Sequence, residues 1–240
     1  MRNLLTVVLS IAILSVSCRF ITGERIRGNG NMQTENRTES GFKGVESYGS
    51  FDLYVSTGSS HNVRIEAEEN ILPYIETYVD GDILKVDTKD GYSLNPRRSI
   101  KVYVSAPEYR RIKSHGSGDI KGENKIIGSE KLDLGVTGSA DIKMEVDAPE
   151  VTVDVTGSGN VELAGKTKIF KSTISGSGDV HAYDLLSEET SVRVAGSGNA
   201  DVHASVSLNV SVAGSGDVNY KGNAKVSSSV AGSGDVRKVD

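Results

Sequence analysis

The C-terminal half of the chain alternates apolar and polar residues on both sides of a recurring Gly-Ser-Gly or Gly-Ser-Ala triplet. Two and four residues before the first glycine of the triplet, and four residues after it, most positions hold Val, Ile, Leu or Ala. A period of two is typical of strands with one buried face and is not a helical period. The first glycine, called position zero below, recurs every 18 to 22 residues, at Gly116, Gly138, Gly157, Gly176, Gly196, Gly214 and Gly232.

Each repeat therefore predicts a strand, a glycine corner, a second strand and a second loop. A unit of this size cannot bury its apolar face alone, whereas units stacked about 4.8 Å apart share a continuous core. We expect an all-β fold, a right-handed β-helix-like solenoid whose stacked rungs of 18 to 22 residues turn at Gly-Ser-Gly-Asp/Asn corners. The N-terminal part is expected to be β-structure of a less regular kind.

The corner residues follow from this stacking. Position zero is always Gly, which indicates a positive φ, whereas Ala140 at plus two indicates that crowding governs that position. Asp and Asn bond readily to backbone N–H groups at turns, and one of them always occupies plus three. The plus-three residues are Asp119, Asp141, Asn160, Asp179, Asn199, Asp217 and Asp235.

A calcium-binding column is the alternative to turn capping at plus three. The pattern is similar to Gly- and Asp-rich calcium rolls, but its period is twice as long and its Gly-to-Asp spacing differs. Two carboxylates about 5 Å apart in water repel by about 0.8 kcal/mol. Asn160 and Asn199 reduce that repulsion without a cation, and tight calcium sites use more carboxylates. We expect capping, with no metal and no cofactor.

The region before Gly116 predicts further strands at 51–55, 63–67, 83–86 and 100–104, with a hairpin turn at 80–82. Residues 70–79 fit either a short helix or a strand preceded by a loop, and the polar segment 87–99 predicts a mobile loop. Corner-like phrases begin at Gly28 and Gly49, which places the start of the solenoid theme near residue 26.

The N-terminus predicts export. A positive start precedes a largely apolar run at 4–16, which is too short to span a bilayer as a helix. The run is followed by Ser17 and Cys18, the chain's only cysteine, and together they resemble a bacterial lipoprotein signal peptide. We expect lipid attachment at Cys18, and the alternative is a plain secretory signal cut near it. Arg19 does not resemble an inner-membrane retention signal, so an outer-membrane lipoprotein is expected, on its surface or periplasmic side.

These expectations divide the chain into four parts. They are a signal peptide at 1–17, the lipidated Cys and a short tether at 18–25, an N-terminal β region at 26–110 and solenoid repeats at 111–240. The alternative is that 26–240 forms one continuous domain.

Composition and charge exclude some functions. The formal net charge is −5 and no basic face is apparent, so no nucleic-acid partner is expected. The outward Asp column could supply the paired carboxylates of a polysaccharide-active enzyme, and a groove with clustered acids and bases would favour that function. Turn capping is the preferred explanation, and no catalytic residue is assigned. The four histidines share no repeat position and are expected to be solvated: His61, His115, His181 and His203.

The chain resembles the putative auto-transporter adhesin head GIN domain family over about residues 26 to 240. The resemblance is carried by residues 42–55, the turn at 80–82, residues 102–107 and the serial corners. It implies stacked β-strands and adhesion, in lipoproteins and secreted proteins of Bacteroidetes-type bacteria. We expect a non-enzymatic, lipid-anchored envelope module that binds a glycan or protein. A periplasmic scaffold is the second hypothesis and a polysaccharide-active enzyme the third.

The final strand suggests a further contact. Val236, Arg237 and Lys238 follow the last corner directly, and an open solenoid end exposes a strand edge that invites pairing. We expect this end either to be protected by its two charges or to mediate self-association.

Overall fold

The computed structural model describes residues 23–239, so the expected signal peptide and Cys18 lie outside the described residues. A short 3-10 helix, Leu72–Tyr74, accompanies the strands. The strands are β1 (Glu24–Arg27), β2 (Met32–Arg37), β3 (Gly44–Gly49), β4 (Phe51–Thr57), β5 (Asn62–Glu68), β6 (Ile75–Asp80), β7 (Ile83–Thr88), β8 (Tyr92–Asn95), β9 (Ile100–Ala106), β10 (Arg111–Gly116), β11 (Ile120–Gly122), β12 (Ile126–Ile127), β13 (Lys131–Gly138), β14 (Ile142–Asp147), β15 (Glu150–Gly157), β16 (Val161–Gly176), β17 (Val180–Gly196), β18 (Ala200–His203), β19 (Ser207–Gly214), β20 (Val218–Lys221), β21 (Lys225–Gly232) and β22 (Val236–Lys238). Within the part of the chain just described, no helix has the length and apolar character needed to cross a membrane.

Parallel strands stack in register into two faces that meet at the glycine corners. Face A consists of β3, β10, β13, β15, the C-terminal halves of β16 and β17, β19 and β21. Face B consists of β4, β11, β14, the N-terminal halves of β16 and β17, β18, β20 and β22. Corner glycines stand beside one another, as Gly157 does between Gly138 and Gly176. The predicted β-solenoid is confirmed.

The core fills the space between the two faces. The apolar positions of the repeat are buried, for example Val155 before a corner and Val161 after it. Each buried Val or Ile side chain contributes about 1.5–3 kcal/mol, so the stack gains stability with every rung. Larger side chains fill the core near its N-terminal end, where Phe51 and Tyr109 are fully buried. The Tyr109 hydroxyl lies 3.1 Å from the carbonyl oxygens of Ser56 and Val104, so the one polar atom of its ring is satisfied.

The N-terminal strands extend the same stack. β3 and β4 form a rung whose corner, Gly49, pairs directly with Gly116, although residues 50–115 lie between the two glycines in the chain. β7 and β9 stack below β3 and β4, and antiparallel strands β5 and β6 pair with β9 and β7. The rung of β3 and β4 thus stacks on repeats across the expected division at residue 110.

Several local predictions for this region are confirmed. Each expected strand lies within β4, β5, β7 or β9. Residues 80–82 form the β6–β7 hairpin, in which Gly81 has a φ of 64°. Residues 70–79 were expected to form either a short helix or a strand preceded by a loop. The second option is correct, since strand β6 begins at Ile75, although the loop before it contains the 3-10 turn Leu72–Tyr74.

Three local predictions are wrong. Segment 87–99 is not a loop throughout, because β8 pairs in parallel with β1, and β1 begins inside the expected tether at 18–25. Gly28 is not a corner, because it directly follows β1 and donates its N–H to the Asn95 carbonyl at 3.1 Å. The second loop is absent from two rungs, where β16 and β17 run unbroken from face B to face A. In each case the conformation is determined by pairing with another strand, and the local pattern of apolar and polar residues does not indicate which strand that is.

Candidate functional site

The plus-three residues form a hydrogen-bonded ladder along the corner. The N–H of Asn160 donates to Asp141 Oδ1 at 2.8 Å, and the N–H of Asn199 donates to Asp179 Oδ1 at 2.7 Å. The same contact joins every successive pair from Asp52 to Asp235, at 2.7–3.3 Å. The capping bonds expected from the sequence are therefore present, but each N–H donor belongs to the next rung rather than to the same turn.

The two asparagines strengthen the ladder. Their Nδ2 groups donate to Asp141 and Asp179, in both cases over 3.0 Å, so those carboxylates each accept two hydrogen bonds from the next rung. Charge-assisted hydrogen bonds of this kind are stronger than neutral ones. The ladder carboxylates thus serve as links between rungs. Within residues 23–239, no group of three or more His, Cys, Asp and Glu side chains is placed to hold a metal ion.

The corner glycines are fixed by dihedral angle and by crowding. All eight position-zero glycines, counting Gly49, have φ between 121° and 157°. A Cβ on Gly176 would lie 2.3 Å from the carbonyl oxygen of Gly157 in the rung below. At plus two, Gly159 has no positive φ, but a Cβ there would lie 2.0 Å from the Ala140 oxygen. Both predictions about the corner are confirmed.

A polar cluster lies on face A near its N-terminal end. Glu46 is only 6% exposed and forms an ion pair with Lys85, and the Tyr48 hydroxyl donates to its Oε2 at 2.8 Å. Arg111 lies 3.5 Å from the same carboxylate, and His115 stacks on Tyr48 with ring centroids 4.8 Å apart. This cluster could not be predicted from local sequence, because three separate segments of the chain supply its residues.

Electrostatics keep the cluster ionised. Burial acts to raise the pKa of Glu46, but hydrogen bonds from Lys85 and Tyr48 and the charges of Lys85 and Arg111 bring it below its usual value. Burial acts to lower the pKa of Lys85, but Glu46 and Tyr48 bring it above its usual value. A carboxylate held by two cations is a link between three rungs and is poorly suited to donate a proton.

A groove of about 420 Å³ crosses face B between β11 and β18. Its rim carries an ion pair, Lys143 with Glu162 at 2.7 Å, and a hydrogen bond from His181 Nδ1 to Asp201 Oδ2 at 2.9 Å. We refer to it below as the face B groove. Its lining comprises Lys121, Gly122, Lys143, Met144, Glu145, Glu162, Leu163, Ala164, His181, Tyr183, Asp184 and Asp201.

A β-bulge in β17 places an aromatic ring in this groove. The pairing of β16 with β17 shifts between Glu162 and Ala164, so that Ala182 and Tyr183 together oppose Leu163. The Tyr183 side chain is half-buried, and Lys221 Nζ lies 5.0 Å from its ring centroid. Burial, together with Asp201, raises the pKa of Tyr183 to about 12, so its hydroxyl stays protonated at neutral pH.

A family comparison agrees with this arrangement of corners and faces. Residues 41–224 match the model of the family described as "putative auto-transporter adhesin, head GIN domain". The chain belongs to this GIN domain family. The resemblance found in the sequence is confirmed. No curated protein matches the chain.

Crystal structures of the same fold support the architecture of this GIN domain. A "putative adhesin" from Bacteroides fragilis NCTC 9343 is similar to it with a TM-score of 0.85 and 21% identity, over 89% of this chain and 100% of that one. A "putative lipid binding protein" from Parabacteroides distasonis ATCC 8503 has a TM-score of 0.74 at 24% identity, over 90% and 100% of the two chains. A "putative adhesin" from Parabacteroides merdae ATCC 43184 has a TM-score of 0.72 at 23% identity, over 90% and 100%.

The four histidines of the GIN domain have separate environments, and only His181 is exposed as expected. His61 is half-buried and its Nε2 donates to the Phe42 carbonyl at 2.8 Å. His115 is half-buried in the face A cluster, and His203 is the last residue of β18 and is half-buried. His181 is exposed and hydrogen-bonded to Asp201 in the face B groove. The structure does not bring the four together.

Tyr183 is the candidate site residue that sequence reasoning missed. Tyr220, another tyrosine of the repeats, is partly buried and packs against the core instead. One signal was available, since the spacing from Gly176 to Gly196 exceeds the two before it by one residue. That extra residue accommodates the bulge.

Proposed function

We propose that this GIN domain protein is a non-enzymatic adhesive binding module of the bacterial cell envelope, held to the outer membrane by a lipid on Cys18. The observation that carries the proposal is the stack of eight corners, whose glycines pair in register from Gly49 to Gly232 along face A. Regularly spaced polar side chains on a rigid rod suit multivalent contacts with a surface. Family membership supports adhesion, and the signal-like N-terminus supports the anchor.

Protease treatment of intact cells tests this proposal. We expect an externally added protease to remove the protein from intact cells, while a periplasmic marker protein survives until the cells are lysed. Digestion of this protein only after lysis would overturn the adhesive function. That outcome would instead support the second hypothesis, a periplasmic scaffold.

The lipid anchor has its own test. Wild-type protein is expected in the detergent phase of a Triton X-114 partition, and a Cys18→Ala variant in the aqueous phase. Equal partition of the two proteins would show that a lipid on Cys18 does not hold the protein to the membrane.

The third hypothesis, a polysaccharide-active enzyme, called for a groove with clustered acids and bases, and the face B groove has that lining. Of its carboxylates, Glu162 is ion-paired with Lys143, and Asp201 accepts a hydrogen bond from His181. Carboxylates engaged in this way favour the binding of hydroxyl groups over proton donation to a leaving group. The non-enzymatic function is therefore preferred.

The fold suggests a second copy of this chain as a partner, bound through the C-terminal edge of the solenoid. Among residues 23–239, no strand pairs with the outer side of β21, and Val226 and Val230 are 36% and 40% exposed on it. After Lys225 this strand carries no charge, whereas Arg237 and Lys238 lie on β22. We propose that β21 pairs with the same edge of a second copy.

Light scattering of wild type and a Val230→Lys variant tests this pairing. The wild type is expected to form dimers that dissociate on dilution, and a charge on the edge is expected to leave the variant monomeric. A Ser211→Lys variant on face A is the control and should dimerise like wild type. A wild type that is monomeric at every concentration would contradict the proposal.

A further inference from the structure

We propose that the face B groove binds a neutral glycan chain, with Tyr183 as the aromatic contact and the surrounding acids, lysines and His181 as hydrogen-bond partners for sugar hydroxyls. This inference rests on the proposed binding function and names its ligand class and site. Family membership does not assign such a site.

The shape of the groove follows from the side chains that adjacent rungs place side by side on face B. Ala164 pairs with Glu145 on one side and Asp184 on the other, so a short side chain lies between two long or charged ones on the outer surface. Buried Met144 and Leu163 form an apolar floor. The bulge then places the Tyr183 ring at the side of this depression. An apolar floor, one aromatic ring and several polar groups are the usual composition of a small-molecule or sugar-binding pocket.

The charge of the lining selects the ligand class. Two lysines and four carboxylates line the groove, and Lys125 and Lys221 lie beside it, so the site carries no excess of positive charge that would attract an anion. An anionic ligand, such as a uronate polymer, a phosphate or a nucleic acid, would lie against those carboxylates at an electrostatic cost. A neutral sugar hydroxyl both donates and accepts, which matches carboxylate acceptors that alternate with lysine and imidazole donors.

The outward column of face B favours a chain over a single sugar. Lys121, in the groove, pairs in register with Tyr54, and Tyr54 pairs with Tyr103. These two tyrosine rings stack with centroids 4.9 Å apart, and the Arg64 guanidinium lies 3.9 Å from the Tyr103 centroid. The track along the solenoid axis therefore runs from an aromatic pair to the groove, and an extended glycan can contact both.

Affinity electrophoresis tests the proposal. The detergent-solubilised full chain is run in non-denaturing gels that contain laminarin, mannan or dextran as neutral probes, or polygalacturonate as an anionic probe. At least one neutral polysaccharide is expected to retard the protein, and polygalacturonate is not. Tyr183→Ala is expected to weaken that binding about tenfold or more, as the loss of a central aromatic contact does.

Two further variants separate binding from folding. Ala164→Arg fills the groove from its outer surface and leaves the core side chains in place, so it is expected to abolish retardation. Ser211→Arg adds the same charge on face A and should behave like wild type. Retardation by none of the neutral polysaccharides, by polygalacturonate alone, or to the same extent in the Ala164→Arg variant would overturn the proposal. Protease accessibility on intact cells is measured separately, so a failed glycan site leaves the envelope-module function standing.

Discussion

A Gly176→Ala variant is expected to lose about 3–5 kcal/mol of unfolding free energy, because one methyl group conflicts with two features of the corner. Gly176 has a φ of 130°, which L side chains rarely adopt. The added Cβ would also lie 2.3 Å from the Gly157 oxygen, which accepts the Ser177 N–H at 2.9 Å. The rungs would have to separate at this level. Urea unfolding followed by circular dichroism measures the loss.

A Gly81→Ala variant is the matched control. Gly81 also has a positive φ, 64°, but nothing lies within 4 Å of an added Cβ. Only the dihedral strain remains, so a loss of about 1–2 kcal/mol is expected. Equal losses in the two variants would show that close stacking of the rungs adds nothing to the requirement for glycine.

A Glu46→Gln variant is expected to lose about 3 kcal/mol at neutral pH, because it removes the carboxylate that Lys85 and Arg111 share. Lys85 has a side chain that is 17% exposed and would be left as a largely buried charge without its partner. Glu162→Gln is the control, because Glu162 and Lys143 are more than half exposed and their pair contributes about 0–1 kcal/mol. Chemical denaturation of both variants measures the difference.

The effect of Glu46 should depend on pH in a defined direction. The pKa of Glu46 in the folded protein lies below its ordinary value, so its stabilising effect is present above the unfolded-state pKa of about 4.3 and is lost as pH falls through the folded pKa. The stability gap between wild type and Glu46→Gln should be constant above about pH 5 and close at lower pH. A gap that is unchanged at low pH would contradict the ionic role of Glu46.

The repeat revealed the stack because its requirements recur in every rung. Position-zero Gly and plus-three Asp or Asn are needed wherever one corner lies on another. Seven corners could therefore be recognised in the sequence, and the eighth, at Gly49, showed only a weak form of the pattern. The two asparagines in the ladder have a structural explanation, since their Nδ2 groups donate to Asp141 and Asp179.

Features that depend on a single contact with a distant part of the chain could not be recognised in the sequence. β8 forms because β1 pairs with it, and Glu46 is buried because Lys85 and Arg111 come from other rungs. Tyr183 enters the groove through a bulge that interrupts the regular register. Such features occur once, so periodicity carries no record of them, and the candidate site lies where the repeat is irregular.

Face B, rather than the corner ladder, is therefore the surface on which we expect a ligand to bind. The ladder carboxylates are engaged in bonds between rungs, whereas the groove carries an aromatic ring, charged groups and an apolar floor. A binding module built in this way would use the corner for rigidity and a strand face for recognition, the arrangement expected when a site is placed on rigid elements.

Thermal unfolding of Asp179→Asn and Asp179→Ala, each with calcium and with a chelator, tests the central claim that the ladder joins rungs through hydrogen bonds. Asn keeps the oxygen that accepts the Asn199 N–H and Nδ2 groups, now 2.7 and 3.0 Å from Asp179 Oδ1, and Ala removes it. We predict that Asn, which exchanges charge-assisted bonds for neutral ones, loses about 1 kcal/mol, that Ala loses about 2–3 kcal/mol, and that calcium shifts neither variant nor wild type. Stabilisation of the wild type by calcium, abolished in Asp179→Asn, would contradict the account and make the column a metal site.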